Sequence, residues 1–239
     1  MSPSSGGAQL ALNLRLRDAS SFENYFVTRN REPVERVQNA ARGLRGAPQT
    51  PASWLYLWGE AGVGKTHLLE AACRAAHQQG QATRYIPLGE KTSLSTALLE
   101  DVEQAALVCV DDVNAIAGDA AWETALFALY EHLRTQGGML IVAAQSSHAN
   151  GGLKLADLGT RLAAGLVYQL QPLSDAEKIS ALRLRAQRRG LAMTEEVANY
   201  LLTRFPRDTH SLFALLDKLD TATLAAQRRL TIPFLRGLE

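Results

Sequence analysis

The run Gly59-Glu60-Ala61-Gly62-Val63-Gly64-Lys65-Thr66 follows directly on the apolar stretch Trp54 to Trp58 and leads directly into an alanine-rich helical stretch. Few short patterns constrain a fold as tightly. At this spacing, glycines let backbone N–H groups converge on phosphate oxygens. The lysine reaches the β- and γ-phosphates, and the threonine hydroxyl can ligate Mg²⁺ at the positive end of a helix. The competing interpretation, a glycine-rich turn that merely joins strand to helix, has no use for Lys65 and Thr66. The context therefore predicts an α/β fold that binds a nucleoside di- or triphosphate. His67 begins the helix, where it can cap, pack or touch the ligand. Trp54 and Trp58 are expected to fill the core of the sheet.

A chain of 239 residues, 46% of them apolar, can bury a sizeable core or a core plus a small satellite. Its net charge of +1 advertises neither nucleic acid nor membrane. Cys73 falls in a predicted helix and Cys109 in a predicted core strand, which favours reduced structural thiols over a disulfide or metal site. The N-terminus has no apolar signal core, and no apolar run is long enough to span a bilayer. These features predict a soluble, cytoplasmic protein with no membrane partner.

Strand-like segments occur at Trp54 to Trp58, Thr83 to Leu88, Leu107 to Val110, Met139 to Ala144 and Leu166 to Leu170. Helical patterns separate them, an alternation that predicts a parallel sheet sandwiched by helices. After Pro172 only helical periodicity remains, and Ser174 with Glu177 forms a capping-box start. The expected organisation is a flexible tail over residues 1–20, an α/β nucleotide-binding base over 21–171, and a small all-helical domain over 172–239.

Leu107-Val108-Cys109-Val110-Asp111-Asp112 is an apolar strand ending in two carboxylates, the Walker B pattern. The first acid, Asp111, is expected to hold Mg²⁺ with Thr66. The second, Asp112, is expected to polarise an attacking water. The alternative is a core strand meeting a helix that one of the two acids caps.

P-loop, paired acids and helical lid together resemble the AAA+ ATPases, and the likeness runs from about Ser21 to the end of the chain. Ser20-Ser21-Phe22-Glu23-Asn24-Tyr25-Phe26 resembles the box that precedes the core in DnaA-type initiators, where such groups help line the adenine pocket. This implies ADP or ATP as ligand, with Phe22, Tyr25 and Phe26 near the base. Asp111-Asp112 is also the DnaA-clade form of its motif. Gln9-Leu10-Ala11-Leu12-Asn13-Leu14 resembles the hexapeptide that docks bacterial proteins onto the sliding clamp of DNA polymerase, with Gln9, Leu10, Leu12 and Leu14 making contact. An extended segment can present alternate side chains to a groove in this way. The other reading is an edge strand packed on its own domain. Tail plus module, together with Gln227-Arg228-Arg229-Leu230-Thr231-Ile232-Pro233-Phe234, is similar to the DnaA-related regulatory inactivators, which resemble cut-down paralogues of the initiator.

The resemblance implies a negative regulator of replication initiation whose partners are DnaA and the clamp. Arg161, in Asp157-Leu158-Gly159-Thr160-Arg161-Leu162, matches the arginine-finger position and would act on the nucleotide of an adjacent DnaA. Its ordinary role would be a surface cation. Gln145 or Ser146 stands at the sensor position after Met139 to Ala144. His210 stands where DnaA-type lids carry an arginine, with Arg207 nearly one turn away. Weak intrinsic hydrolysis is therefore expected. The alternative is an autonomous ATPase such as a DnaA-related helicase loader. Arg183, Arg185, Arg188 and Arg189 allow a weak DNA contact, although Glu195, Glu196, Asp217 and Asp220 dilute that face. Head-to-tail self-association is also possible in such modules.

Overall fold

A computed structural model describes residues 20–44, 53–100, 102, 104–226 and 230–237. The Gln9 to Leu14 segment lies outside the described residues. Five strands, β1 (Trp54–Trp58), β2 (Thr83–Pro87), β3 (Leu107–Asp111), β4 (Met139–Ala144) and β5 (Leu166–Gln169), form one sheet in the order β2-β3-β4-β1-β5. Every neighbouring pair is parallel. All five carboxyl ends therefore lie along one rim, the place where open α/β sheets present their ligand crevice.

Parallel strands need crossovers, and helices provide them. The helix α1 (Arg31–Ala41) precedes β1, α2 (Lys65–Gln78) joins β1 to β2, α3 (Ala120–Gln136) joins β3 to β4, and α4 (Ala156–Ala163) joins β4 to β5. Strand residues alternate between two cores, as a period of two requires. Trp54, Tyr56, Val108, Val110, Leu140 and Val142 face α3 and α4, packing with Trp122, Leu126, Leu158 and Leu162. Leu55, Leu57, Leu107, Cys109, Met139 and Ile141 face α1 and α2, packing with Val34, Val37, Leu68 and Leu69. Each fully buried aliphatic side chain contributes roughly 1.5–3 kcal/mol. Trp54 belongs to the first core and Trp58 packs at its edge. Both cysteines are free thiols, and burial pushes that of Cys109 up.

Beyond β5 the described chain is helical: α5 (Asp175–Arg188), α6 (Glu195–Arg204), α7 (Thr209–Ala226) and α8 (Ile232–Arg236). These helices share a third core built on Leu182, Val197, Leu201, Leu212, Leu216 and Leu235. The capping box is present, with the Ser174 hydroxyl accepting from Glu177 N–H and the Glu177 carboxylate accepting from Ser174 N–H. Arg29 ties this bundle to the base, donating to Pro172 O at 2.8 Å and pairing with Glu177 at 3.0 Å. Among the described residues no helix is long and apolar enough to cross a membrane.

Candidate nucleotide site

The loop between β1 and α2 is shaped by glycines where a side chain cannot fit. Gly64 has φ +96°, and a Cβ there would lie 2.7 Å from Tyr25 Cε2. Gly59 has φ +153°, and its Cβ would lie 2.8 Å from Leu170 O. Both conformations are rare for L side chains. Lys65 opens α2 and is 7% exposed. Its ammonium donates to Gly59 O at 2.7 Å and Glu60 O at 2.8 Å. Burial lowers its pKa, opposed by the charges of Asp111 and Asp112.

Thr66 Oγ1 donates to Asp111 Oδ2 at 2.6 Å. Tyr85 OH donates to the same oxygen at 2.9 Å, and Asp112 N–H donates to Asp111 Oδ1 at 3.0 Å. Asp111 is 3% exposed, so its position is fixed from three directions. Asp112 has φ +53° and is the only non-glycine residue with positive φ among the described residues. It precedes the short 3₁₀ turn Val113–Ile116 yet makes no side-chain cap bond, so Asp112 does not serve as the cap. Burial raises its pKa first, and the neighbouring charge of Asp111 adds to that. A Cβ on Gly89 would lie 2.9 Å from Asp112 Oδ2, so only glycine leaves that carboxylate its place.

The Ser21–Phe26 box braces the loop from outside. Phe22 opens a 3₁₀ turn capped by the Ser21 hydroxyl, and both Phe22 and Tyr25 pack on the α1–α2 core. Phe26 is half-buried. Tyr25 OH donates to Val63 O at 3.3 Å, and burial pushes its pKa up to about 12. His67 Nε2 lies 2.8 Å from Ser21 O, and its ring centroid is 5.7 Å from that of Tyr25. Burial lowers the pKa of His67, which favours a neutral imidazole donating to that carbonyl.

Gln145 is exposed at the end of β4, and its N–H donates to Asn114 Oδ1 at 3.0 Å. The Ser146 carbonyl accepts from Tyr56 OH at 3.1 Å. His210 is exposed in the first turn of α7. That turn approaches the loop, since a Cβ on Gly62 would lie 3.8 Å from Thr209 N. Asp208 caps the turn by accepting from Ser211 N–H at 2.8 Å. Arg207 instead pairs with Asp175 at 3.6 Å. The rim thus brings together Gly59, Gly62, Val63, Gly64, Lys65, Thr66, Asp111, Asp112 and the start of α7. Arg161 stands apart on α4, 46% exposed, with its Nε 3.1 Å from Glu131 Oε1 on α3.

The lid arginines are engaged. Arg183 pairs with Glu195 at 3.5 Å and Arg189 with Asp217. Arg185 lies 4.5 Å above the Phe213 ring, and Arg188 donates to Asn24 Oδ1 at 3.1 Å. Each of the four thus has a partner within the fold.

Reasoning from the sequence missed four polar residues. Asn30, 2% exposed, donates to Gln171 O at 2.9 Å and accepts from Gln171 N–H at 2.8 Å, locking the box to the end of the sheet. Tyr85 and Asn114 hold the acid and sensor segments. Glu123, 1% exposed, accepts from Gly118, Lys154 and Leu155 N–H and so fixes the approach to α4. An asparagine just before α1 looks like an ordinary helix cap, and nothing local marks the others.

A cradle that excludes Cβ atoms, a buried ammonium aimed along it and a hydroxyl–carboxylate pair at its end fit a nucleotide phosphate chain with Mg²⁺. The fold and this rim define an AAA+ P-loop protein. Residues 16–169 match the family model of the bacterial DnaA ATPase domain, and residues 175–238 match that of the Hda lid domain. The chain belongs to the DnaA-related AAA+ family and is Hda-like in its lid. Domain III of Thermotoga maritima DnaA superimposes with a TM-score of 0.74 at 20% identity, covering 90% of this chain and 93% of that one. AMPPCP-bound DnaA from Aquifex aeolicus gives 0.67 at 22% identity, covering 82% and 64%. The RuvB Holliday junction branch migration motor of Thermotoga maritima gives 0.64 at 14% identity, covering 91% and 72%. At such identities the likeness is one of fold.

Proposed function

We propose that this chain is a negative regulator of bacterial replication initiation, which binds ADP or ATP with Mg²⁺ and stimulates ATP hydrolysis by DnaA. The observation that carries this reading is the joining of a DnaA-type base to an Hda-type lid in one chain. In it, residues 1–20 tether the protein to the sliding clamp through Gln9, Leu10, Leu12 and Leu14. Residues 21–171 form the nucleotide-binding base, and 172–239 the lid. Bound nucleotide meets the loop N–H groups, Lys65 and Thr66. Thr66 and Asp111 would hold Mg²⁺, which would supply neutralisation of phosphate charge. Phe22, Tyr25, Phe26 and His67 shape the base side of the pocket, with Gln145 and His210 over the phosphates.

Arg161 then acts in trans. Its ion-pair partner lies on α3 and its side chain is half-exposed, which suits delivery to a neighbouring DnaA. A planar, permanently charged guanidinium stabilises charge on the transferring phosphoryl group. His210 holds phosphate less firmly than a lid arginine would, so intrinsic turnover is weak and the nucleotide organises the lid. Action at the replication machinery places the protein in the cytoplasm. The same head-to-tail surface permits self-association.

The intact Thr66–Asp111 pair favours a second reading, an autonomous ATPase such as a helicase loader. The two separate in a DnaA·ATP hydrolysis assay with and without DNA-loaded clamp, using wild type and the Leu10→Ala/Leu12→Ala double variant. Regulation predicts clamp-dependent stimulation that the double variant loses. Absence of any stimulation by wild type overturns it.

A further inference from the structure

Arg161 is not a lone surface cation. Glu131, on the neighbouring turn of α3, receives two arginines on different oxygens: Arg134 donates through Nε at 2.9 Å and approaches through Nη2 at 2.7 Å on Oε2, while Arg161 Nε lies 3.1 Å from Oε1. Both Arg134 nitrogens converge on the one oxygen Oε2 within a single helix, which leaves Oε1 to Arg161. Glu131 is only 26% exposed, whereas Arg134 and Arg161 are 36% and 46% exposed. The carboxylate sits inward and the two guanidinium groups reach outward.

The Arg161 contact is made through Nε, the guanidinium nitrogen nearest the backbone. The two terminal nitrogens lie farther out, and they form the edge that a phosphate oxygen pair would engage. A flexible arginine forfeits rotamer entropy when it is fixed at a reacting centre. A guanidinium already ion-paired at its inner nitrogen, 3.1 Å from a carboxylate oxygen, has lost part of that freedom beforehand. From this geometry we infer that Glu131 is the positioning residue of Arg161, aligning its outer edge toward the phosphates of a partner's nucleotide. Glu131 itself touches no reacting atom. The other wall of the α4 approach is set by Glu123, whose buried carboxylate gathers Lys154 and Leu155 N–H just before the helix starts. Helix and side chain are thus both aligned from α3.

This inference rests on the regulatory reading, and the experiment keeps the two separable. Clamp-dependent DnaA·ATP hydrolysis is titrated with wild type, Arg161→Ala, Glu131→Ala and Glu131→Gln. Maximal stimulation and half-saturating concentration are extracted, and ADP affinity is measured for each variant. Removing Glu131 leaves two half-exposed arginines rather than a buried orphan, so the fold and ADP affinity are expected to hold. Glu131→Ala is expected to lower maximal stimulation about ten-fold with unchanged half-saturation, as misplacement of a reacting group does. Glu131→Gln, which keeps an acceptor oxygen, is expected to recover part of the loss. If Arg161→Ala fails while Glu131→Ala performs as wild type or better, positioning by Glu131 is overturned and the finger stands. If Glu131→Ala changes ADP affinity or half-saturation instead of the maximum, its role is structural and the inference falls. If Arg161→Ala stimulates as wild type does, the regulatory reading falls and takes this inference with it.

Discussion

The Lys65 ammonium is satisfied by two carbonyls of its own loop, 2.7 and 2.8 Å away, and burial disfavours its charge. Phosphate binding exchanges those bonds for ones in which both donor and acceptor are charged, and hydrogen bonds to charged groups are each worth about 1.5–3 kcal/mol. Lys65→Ala should therefore weaken ADP binding on the order of 100-fold in a calorimetric titration. Glu123 offers a stability test. Burial alone raises its pKa, but donation from Leu155, Gly118 and Lys154 N–H outweighs this and leaves the net value below the ordinary 4.5. A depressed carboxylate contributes stability above its unfolded-state pKa and loses it as pH falls through the folded-state value. Glu123→Gln should cost roughly 1–3 kcal/mol at neutral pH. Denaturant titrations should show the gap to wild type closing as pH drops below 4.5. Neither Glu123 nor Asn30 was legible in the sequence. Their partners are N–H and C=O groups up to 141 positions away, and backbone groups carry no residue identity that a pattern can read.

Elements were more legible than contacts. β1 and β4 fall on the expected residues because each is an apolar run closed by a change of chemistry, Gly59 after one and Gln145 after the other. β2 stops at Pro87 rather than Leu88, since Leu88 turns into a 3₁₀ segment and is buried there. β3 runs on to Asp111, whose carboxylate is held inside the fold by Thr66 and Tyr85, and polarity alone could not announce that. The P-loop predicts a contrast between two glycines of similar backbone conformation. Gly80 has φ +74° and open space around it, so Gly80→Ala should cost only about 1 kcal/mol of backbone strain. Gly64→Ala adds a 2.7 Å collision with the Tyr25 ring, and should lose nucleotide affinity as well as thermal stability. Ser174→Ala removes half of the α5 capping box and should cost about 1 kcal/mol. Hydrogen exchange would show this as faster exchange in the first turn of α5.

On the scale of the whole molecule, a parallel sheet delivers every strand end to one rim, and the lid closes over it through α7. The layout of base and lid was readable because strand-like runs stop after β5 and only helical periodicity continues. What sequence could not supply is the separation of two chemistries. The P-loop, Lys65, Thr66 and the paired acids collect at the rim, whereas Arg161 is ion-paired to Glu131 on α3 and 46% exposed. That separation argues for an arginine used on another molecule's nucleotide. The most direct test sets Asp112→Asn beside Arg161→Ala and follows hydrolysis of DnaA-bound ATP in the presence of DNA-loaded clamp. The first changes only the carboxylate expected to polarise water in the chain's own site, and should stimulate as wild type does. The second should lose stimulation by at least about 100-fold, given that such fingers contribute roughly 10³- to 10⁵-fold elsewhere. Full stimulation by Arg161→Ala, or its loss with Asp112→Asn alone, would contradict the account.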